Sequence, residues 1–222
     1  MTAAPSPATL APTPLIDSDH PAVIEFARRA TAADPRARAV ELYYMVRDEF
    51  RYDPYRVDLS VEGLRASRVL ECGWGWCVPK AALLAAAARA AGIPARVGYA
   101  DVRNHLSTER LRNILKTDLY IWHGYTELWL EGGWVKATPA FNLALCERFG
   151  IHPMDWDGRD DSLYHPYDRA GRLHMEYVGQ RGSFDDVPVA QIAADFAVMY
   201  PGWAKAPVDG ADFAQDAARE AL

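Results

Sequence analysis

Cys72-Gly73-Trp74-Gly75-Trp76-Cys77-Val78-Pro79-Lys80, followed by an alanine- and leucine-rich run to Ala91, is the stretch whose reading decides the fold. Gly73 and Gly75 permit a loop. Pro79 suits the first turn of a helix, where its missing N–H would have no helical partner. Lys80 to Ala91 is built almost wholly of strong helix formers, and Gly92 and Pro94 end it. Only Lys80 and Arg89 interrupt the apolar run, so this helix belongs in a core. Cys77 at its N-terminus faces free backbone N–H groups and the positive end of the helix dipole. That setting favours thiolate below the ordinary cysteine pKa of about 8.5, and the same N–H groups can stabilise an oxyanion beside the sulfur. The competing reading of Cys77 is an ordinary buried cysteine.

Upstream, Asp19 and Asp34 are each placed to cap a helix starting at the prolines Pro21 and Pro35. The second helix carries Val40, Leu42, Tyr43, Met45, Val46 and Phe50 at mostly helical spacing. Tyr52 to Tyr55 breaks to a loop, and Arg65 to Leu70 leads into the cysteine loop. Downstream, Ala95 to Val102 reads as a strand and Arg103 to Lys116 as a loop with a short helix. Leu119 to Leu130 is rich in aromatic and β-branched residues, as strands are. Glu131-Gly132-Gly133 is a hairpin turn into the return strand Trp134 to Thr138, so the two strands pair antiparallel. Phe141 to Phe149 suggests a short helix, Arg172 to Val178 a strand, and Val187 to Tyr200 a closing helix capped by Asp186. The acidic run Met154 to Asp161 lacks the spacing and terminal glutamate of a calcium loop.

A chain of 222 residues is one domain with extensions. Residues 1–14 read as a flexible arm, 15–203 as the domain and 204–222 as an exposed tail. The net charge of −6 is spread along the chain without a basic patch, which argues against nucleic acid. No window of about 20 apolar residues offers a membrane span. Three cysteines make no disulfide framework, and no second Cys/His pair stands at zinc spacing. With no positive n-region or apolar h-region at the start, the expected setting is the reducing cytoplasm, with no metal and no cofactor.

A thiol nucleophile needs a base. Among six histidines, His123 sits mid-strand beside Gly124, which leaves one flank open. His20 and His152 are expected to face solvent, and His105, His165 and His174 are candidates for substrate or network roles.

These blocks resemble the transglutaminase-like superfamily. In that family a cysteine-headed helix runs into a Gly-Ile-Pro-Ala-Arg turn and a strand, as Cys77 does into Gly92-Ile93-Pro94-Ala95-Arg96. A histidine-bearing strand, a Gly-rich turn and a Trp-Val return strand follow, as in His123-Gly124-Tyr125-Thr126-Glu127 through Trp134-Val135. The resemblance covers residues 64–142. It implies a papain-like α+β fold, the cysteine helix packed on an antiparallel sheet. It also implies thiol acyl chemistry at amide or ester bonds: Cys77 as nucleophile, His123 as base and then acid.

The family's third residue is an aspartate, and Thr138-Pro139 stands in its place. Three readings stay open: the Thr138 hydroxyl orients the imidazole as a neutral Asn does in papain-type triads, Asn142 does so, or the triad is degenerate. Trp76 and Trp122, with Trp74, can wall a substrate cleft or offer an indole N–H to an oxyanion, or simply fill the core. The implied substrates are a peptide, a protein or a small amide, with an amine as possible acceptor. The alternative is a degenerate, peptide-binding module on the same fold.

Overall fold

The protein is described as a computed structural model over residues 4–105, 107–163, 167–203 and 212–220. His20 rather than Asp19 caps α1 (Pro21–Arg28), its Nδ1 accepting the Ala22 N–H at 3.2 Å. Asp34 caps α2 (Pro35–Glu49) as expected, accepting the Ala37 N–H at 2.9 Å. A two-residue strand, β1 (Arg51–Tyr52), follows. The segment that leads into the cysteine loop is helical: α3 (Val61–Leu64) and α4 (Ala66–Cys72). Gly73, at φ 73°, ends α4 in the left-handed region that glycine tolerates. β2 (Trp74–Gly75) pairs parallel with β1 and delivers the chain to α5 (Cys77–Ala90).

α5 is the centre of the molecule. Every residue from Cys77 to Arg89 is buried, with α1, α2 and α4 packed around it and the sheet beneath it. Its two charged residues end on backbone carbonyls. Lys80 Nζ donates to the oxygens of Arg47, Phe50 and Ala140 at 2.8–2.9 Å. Arg89 donates to those of Ala95, Ala11 and Asp185 at 2.7–2.9 Å. Burial pulls Lys80 down to about 7 and lowers Arg89 as well, and a buried basic group is tolerated when its donors are satisfied in this way.

Four antiparallel strands form the sheet in the order β5-β4-β3-β6, with β3 (Ala95–Asn104), β4 (Leu119–Leu130), β5 (Gly133–Ala137) and β6 (Met175–Phe184). α6 (Glu109–Leu115) lies between β3 and β4, and α7 (Leu143–Phe149) follows β5. Leu130 pairs with Gly133 around Glu131 and Gly132, both at positive φ, the two-residue turn whose twist matches antiparallel strands. The closing helix α8 (Val189–Met199) starts after Pro188 without a side-chain cap. Asp186 is occupied elsewhere, accepting from Thr13 Oγ1 at 2.9 Å and from the Val187 N–H at 2.8 Å.

Two expectations about the ends are corrected. The segment read as a flexible arm is tied down from Thr9 onward: Thr9 is buried, Ala11 binds Arg89 and Thr13 binds Asp186. The segment read as an exposed tail contains α9 (Phe213–Glu220), which buries Phe213 and Ala217. The apolar ring of Phe213 packs on Tyr52, Tyr55 and Phe149. Asp216 accepts from Tyr55 at 2.9 Å and Arg110 at 2.8 Å.

Candidate active site

Cys77 is the first residue of α5, with Trp76 as its N-cap. Helix N-termini carry unpaired backbone donors, and the N–H groups of Gly124, Val78 and Cys77 itself favour the charged sulfur. Burial outweighs them and pushes the thiol up to about 11. The expectation of a low-pKa thiolate is therefore reversed in this structure: the dipole and donors are present, but the sulfur is shut away from water. Burial pushes Tyr52, Tyr99 and Tyr200 up, and an ionised Cys77 nearby would push them further.

Gly124 is the point where the histidine strand meets the cysteine helix. A Cβ on Gly124 would stand 3.1 Å from both Cys77 O and Val78 Cα, so glycine is what lets β4 come this close. His123, the preceding residue, is buried. Burial first, and then the neighbouring His174, lower its pKa to about 4. At neutral pH the pair is thus a neutral thiol and a neutral imidazole.

His123 opens into two adjoining cavities. One is lined by Tyr52, Tyr120, Phe141, His174 and Phe213, the other by Thr138, His152, Met154 and His174. Cys77 lines neither, and no hydrogen bond joins its sulfur to His123. Before substrate binds, catalytic hydrogen bonds are often long.

The third-residue candidates separate clearly. Thr138 is buried and shares the second cavity with His123, yet its Oγ1 makes no hydrogen bond. The expected Thr138–His123 bond is absent here because the residue is held by its backbone, N–H to Ser162 O at 2.9 Å and carbonyl to the Tyr43 hydroxyl at 3.2 Å. Asn142 is spent on the Tyr52 N–H at 3.1 Å.

The tryptophans read as cleft walls are core residues by geometry. Trp76 packs on Phe196. Trp122 gives its indole N–H to Asp195 at 2.8 Å, so it has none for an oxyanion. Trp74, half-buried, lies under the Arg56 guanidinium. Neither Trp76 nor Trp122 lines the cavities at His123.

Of the other histidines, His174 joins the site, stacked on Phe141, and exposed His152 touches the second cavity. His105 pairs with Glu176 at 2.7 Å, and His165 lies outside the described residues. Sequence reading missed Tyr52 and Phe213. By sequence Tyr52 reads as a loop residue and Phe213 as part of a tail, and neither carries a motif.

A buried helix headed by cysteine and packed on an antiparallel sheet that bears a histidine defines the papain-like α+β class of cysteine-enzyme folds. The transglutaminase-like superfamily matches residues 24–139, more than half of the chain, and the chain belongs to that superfamily. Among solved structures, a candidate cysteine protease from Cytophaga hutchinsonii is 18% identical, with a TM-score of 0.49 over 86% of this chain and 48% of its own. A candidate protease from Parabacteroides distasonis is 16% identical, with a TM-score of 0.38 over 59% of this chain and 26% of its own. The periplasmic domain of TgpA from Pseudomonas aeruginosa is 22% identical, with a TM-score of 0.35 over 63% of this chain and 44% of its own. The chain thus spans about half or less of the length of each. No curated protein matches it.

Among the described residues no helix is long and apolar enough to cross a membrane, and no cluster of metal-binding side chains occurs.

Proposed function

We propose that the protein is a cysteine-dependent acyl-transfer enzyme acting on an amide or ester of a peptide, a protein or a small amide. Cys77 attacks the carbonyl, His123 takes the thiol proton and returns it to the leaving amine or alcohol, and water or an amine resolves the thioester. The observation that carries the reading is the seating of Gly124 on the Cys77 end of α5, which brings the residue next to His123 within van der Waals reach of the cysteine backbone. Superfamily membership supports the same reading.

The neutral state of both groups favours general-base removal of the thiol proton in the acylation step over a preformed ion pair. The N–H groups at the start of α5 are the donors available to the oxyanion. A reducing compartment, the cytoplasm, is part of the proposal and fits three cysteines that are all free thiols.

A second reading, a degenerate module that binds peptide, draws on one observation: Thr138 makes no hydrogen bond to the imidazole. Incubation with a panel of p-nitrophenyl esters and peptide anilides separates the two. The enzyme reading expects release of the chromophore by wild type and none above background by Cys77→Ala. Equal rates, or no release from any substrate alongside tight peptide binding, favour the module.

A further inference from the structure

The strand that carries His123 is not regular. Ala100 pairs with His123 and Val102 with Tyr120, so Ile121 and Trp122 together stand opposite Asp101 alone. Trp122 has φ 59°, a left-handed conformation that bulky side chains avoid and that persists only where neighbours impose it. On a regular strand, residues three apart face opposite sides. The extra residue in β4 instead brings Tyr120 and His123 onto one cavity wall.

β6 is bulged at the same height. Tyr99 pairs with Gly182 and Ala100 with Gln180, which leaves Arg181 as the inserted residue. Its guanidinium reaches across β3. Nε donates to Asp101 Oδ1, and Nη1 donates to Asp195 Oδ2 at 2.5 Å. The guanidinium carbon lies 4.6 Å from the centre of the Trp122 ring. Asp101 Oδ1 also accepts the Trp122 main-chain N–H at 3.1 Å, and Asp195 Oδ2 accepts the indole N–H at 2.8 Å. The main chain, the indole N–H and the ring face of Trp122 therefore all end on the same three residues.

We propose that Arg181, together with Asp101 and Asp195, is a positioning clamp that holds Trp122 in its left-handed conformation and thereby sets the direction of the His123 ring. The inference rests on the reading of His123 as the general base. Isolated surface ion pairs add little. This one is part-buried and converges on a strained residue adjacent to the base. A bulge beside an active site commonly serves to re-aim a side chain. Without the guanidinium, Asp101 and Asp195 lose the cation that fixes them, and Trp122 is free to return to an extended conformation. That return would turn His123 or Tyr120 off the cavity wall.

The test uses the full chain with Arg181→Gln and Arg181→Lys, and three readouts: thermal stability, p-nitrophenyl acetate hydrolysis, and the ring NMR signals of His123 assigned by comparison with His123→Gln. Arg181→Gln is expected to shift the His123 signals and lower hydrolysis at least about tenfold per folded molecule, the scale set by small misplacements of catalytic groups. Arg181→Lys, which keeps a charge between the two aspartates, should recover part of both. If Arg181→Gln leaves the His123 signals and the rate per folded molecule unchanged, whatever happens to stability, the clamp is refuted and the network is merely structural. If His123→Gln hydrolyses the ester as fast as wild type, the general-base reading fails. The His123 signals in Arg181→Gln still decide the clamp in that case.

Discussion

Gly124 and Cys77 are in backbone contact: a methyl group added at Gly124 would meet the Cys77 carbonyl oxygen at 3.1 Å. Real side chains seldom pack so close against main chain, and neither β4 nor α5 is free to retreat, since Thr126 Oγ1 binds Ala81 O at 2.9 Å one turn further along. Gly124→Val should therefore push the helix start and the strand apart. The expected cost is about 1–3 kcal/mol of stability, the range for overpacking a filled core, with loss of ester hydrolysis. Urea denaturation and a rate assay check it. A Gly124→Val protein as stable and as active as wild type would mean the contact does not hold the site together.

The protonation states make a signed pH prediction. His123 has a pKa near 4 in the folded chain against 6.5 for a free histidine. The unfolded state therefore binds the proton first as pH falls, and the fold loses stability between pH 6.5 and about 4. The loss approaches about 3 kcal/mol below that window. Denaturation midpoints between pH 7 and 4 should therefore show wild type losing more stability than His123→Gln, which has no ring to titrate. Parallel curves would place His123 in a more open setting than the one described.

Burial of the thiol predicts slow chemical labelling. Cys77, held near 11, should react with iodoacetamide at pH 7.5 more slowly than half-buried Cys72, and its rate should still be climbing above pH 9. Mass spectrometry of timed digests reads both sites. Faster labelling of Cys77 at neutral pH would show a preformed thiolate, as the helix position alone suggests.

Much of this was legible in the sequence. The largely apolar run headed by Cys77, the hairpin at Glu131 and Gly132, and the Asp34 cap before Pro35 are local signals, and local chemistry decides them. The irregular parts were not, because they are set by distant partners. Arg181 sits in no motif, and its role comes from pairing with Asp101 and Asp195 across strands. Phe213 lies in a weakly patterned segment and is ordered by rings from β1 and α7. The low thiol pKa expected from the helix dipole fails for a related reason: the dipole is a property of one helix, whereas burial comes from everything folded over it.

Thr138 gives a sharp contrast between the two views. Its buried hydroxyl makes no hydrogen bond, so Thr138→Val should leave turnover unchanged and raise stability by about 1 kcal/mol, as when an unsatisfied buried polar group is replaced by methyl. Thr138→Asp should act in the opposite sense on the site. A carboxylate in the His123 cavity raises the imidazole pKa and should move the acidic limb of the rate profile upward. A large fall in kcat for Thr138→Val at constant KM would restore the hydroxyl as the orienting group.

Lys80 carries a structural prediction. Lys80→Met fills the volume but leaves the carbonyls of Arg47, Phe50 and Ala140 without their buried donor. A loss of about 1–3 kcal/mol is expected, the scale for leaving buried acceptors without their donor. Thermal unfolding measures it, and a variant within about 0.5 kcal/mol of wild type would contradict the pinning role.

The central claim, that Cys77 forms an acyl-enzyme with His123 as its base, is tested most directly by intact-mass spectrometry of the protein quenched in acid during p-nitrophenyl acetate turnover. The account predicts a single added acetyl group, mapped by digestion to Cys77, absent in Cys77→Ala and formed far more slowly in His123→Ala. Acetylation confined to Cys72, Cys146 or lysine side chains, or acetylation of Cys77 at the same rate with and without His123, would contradict it.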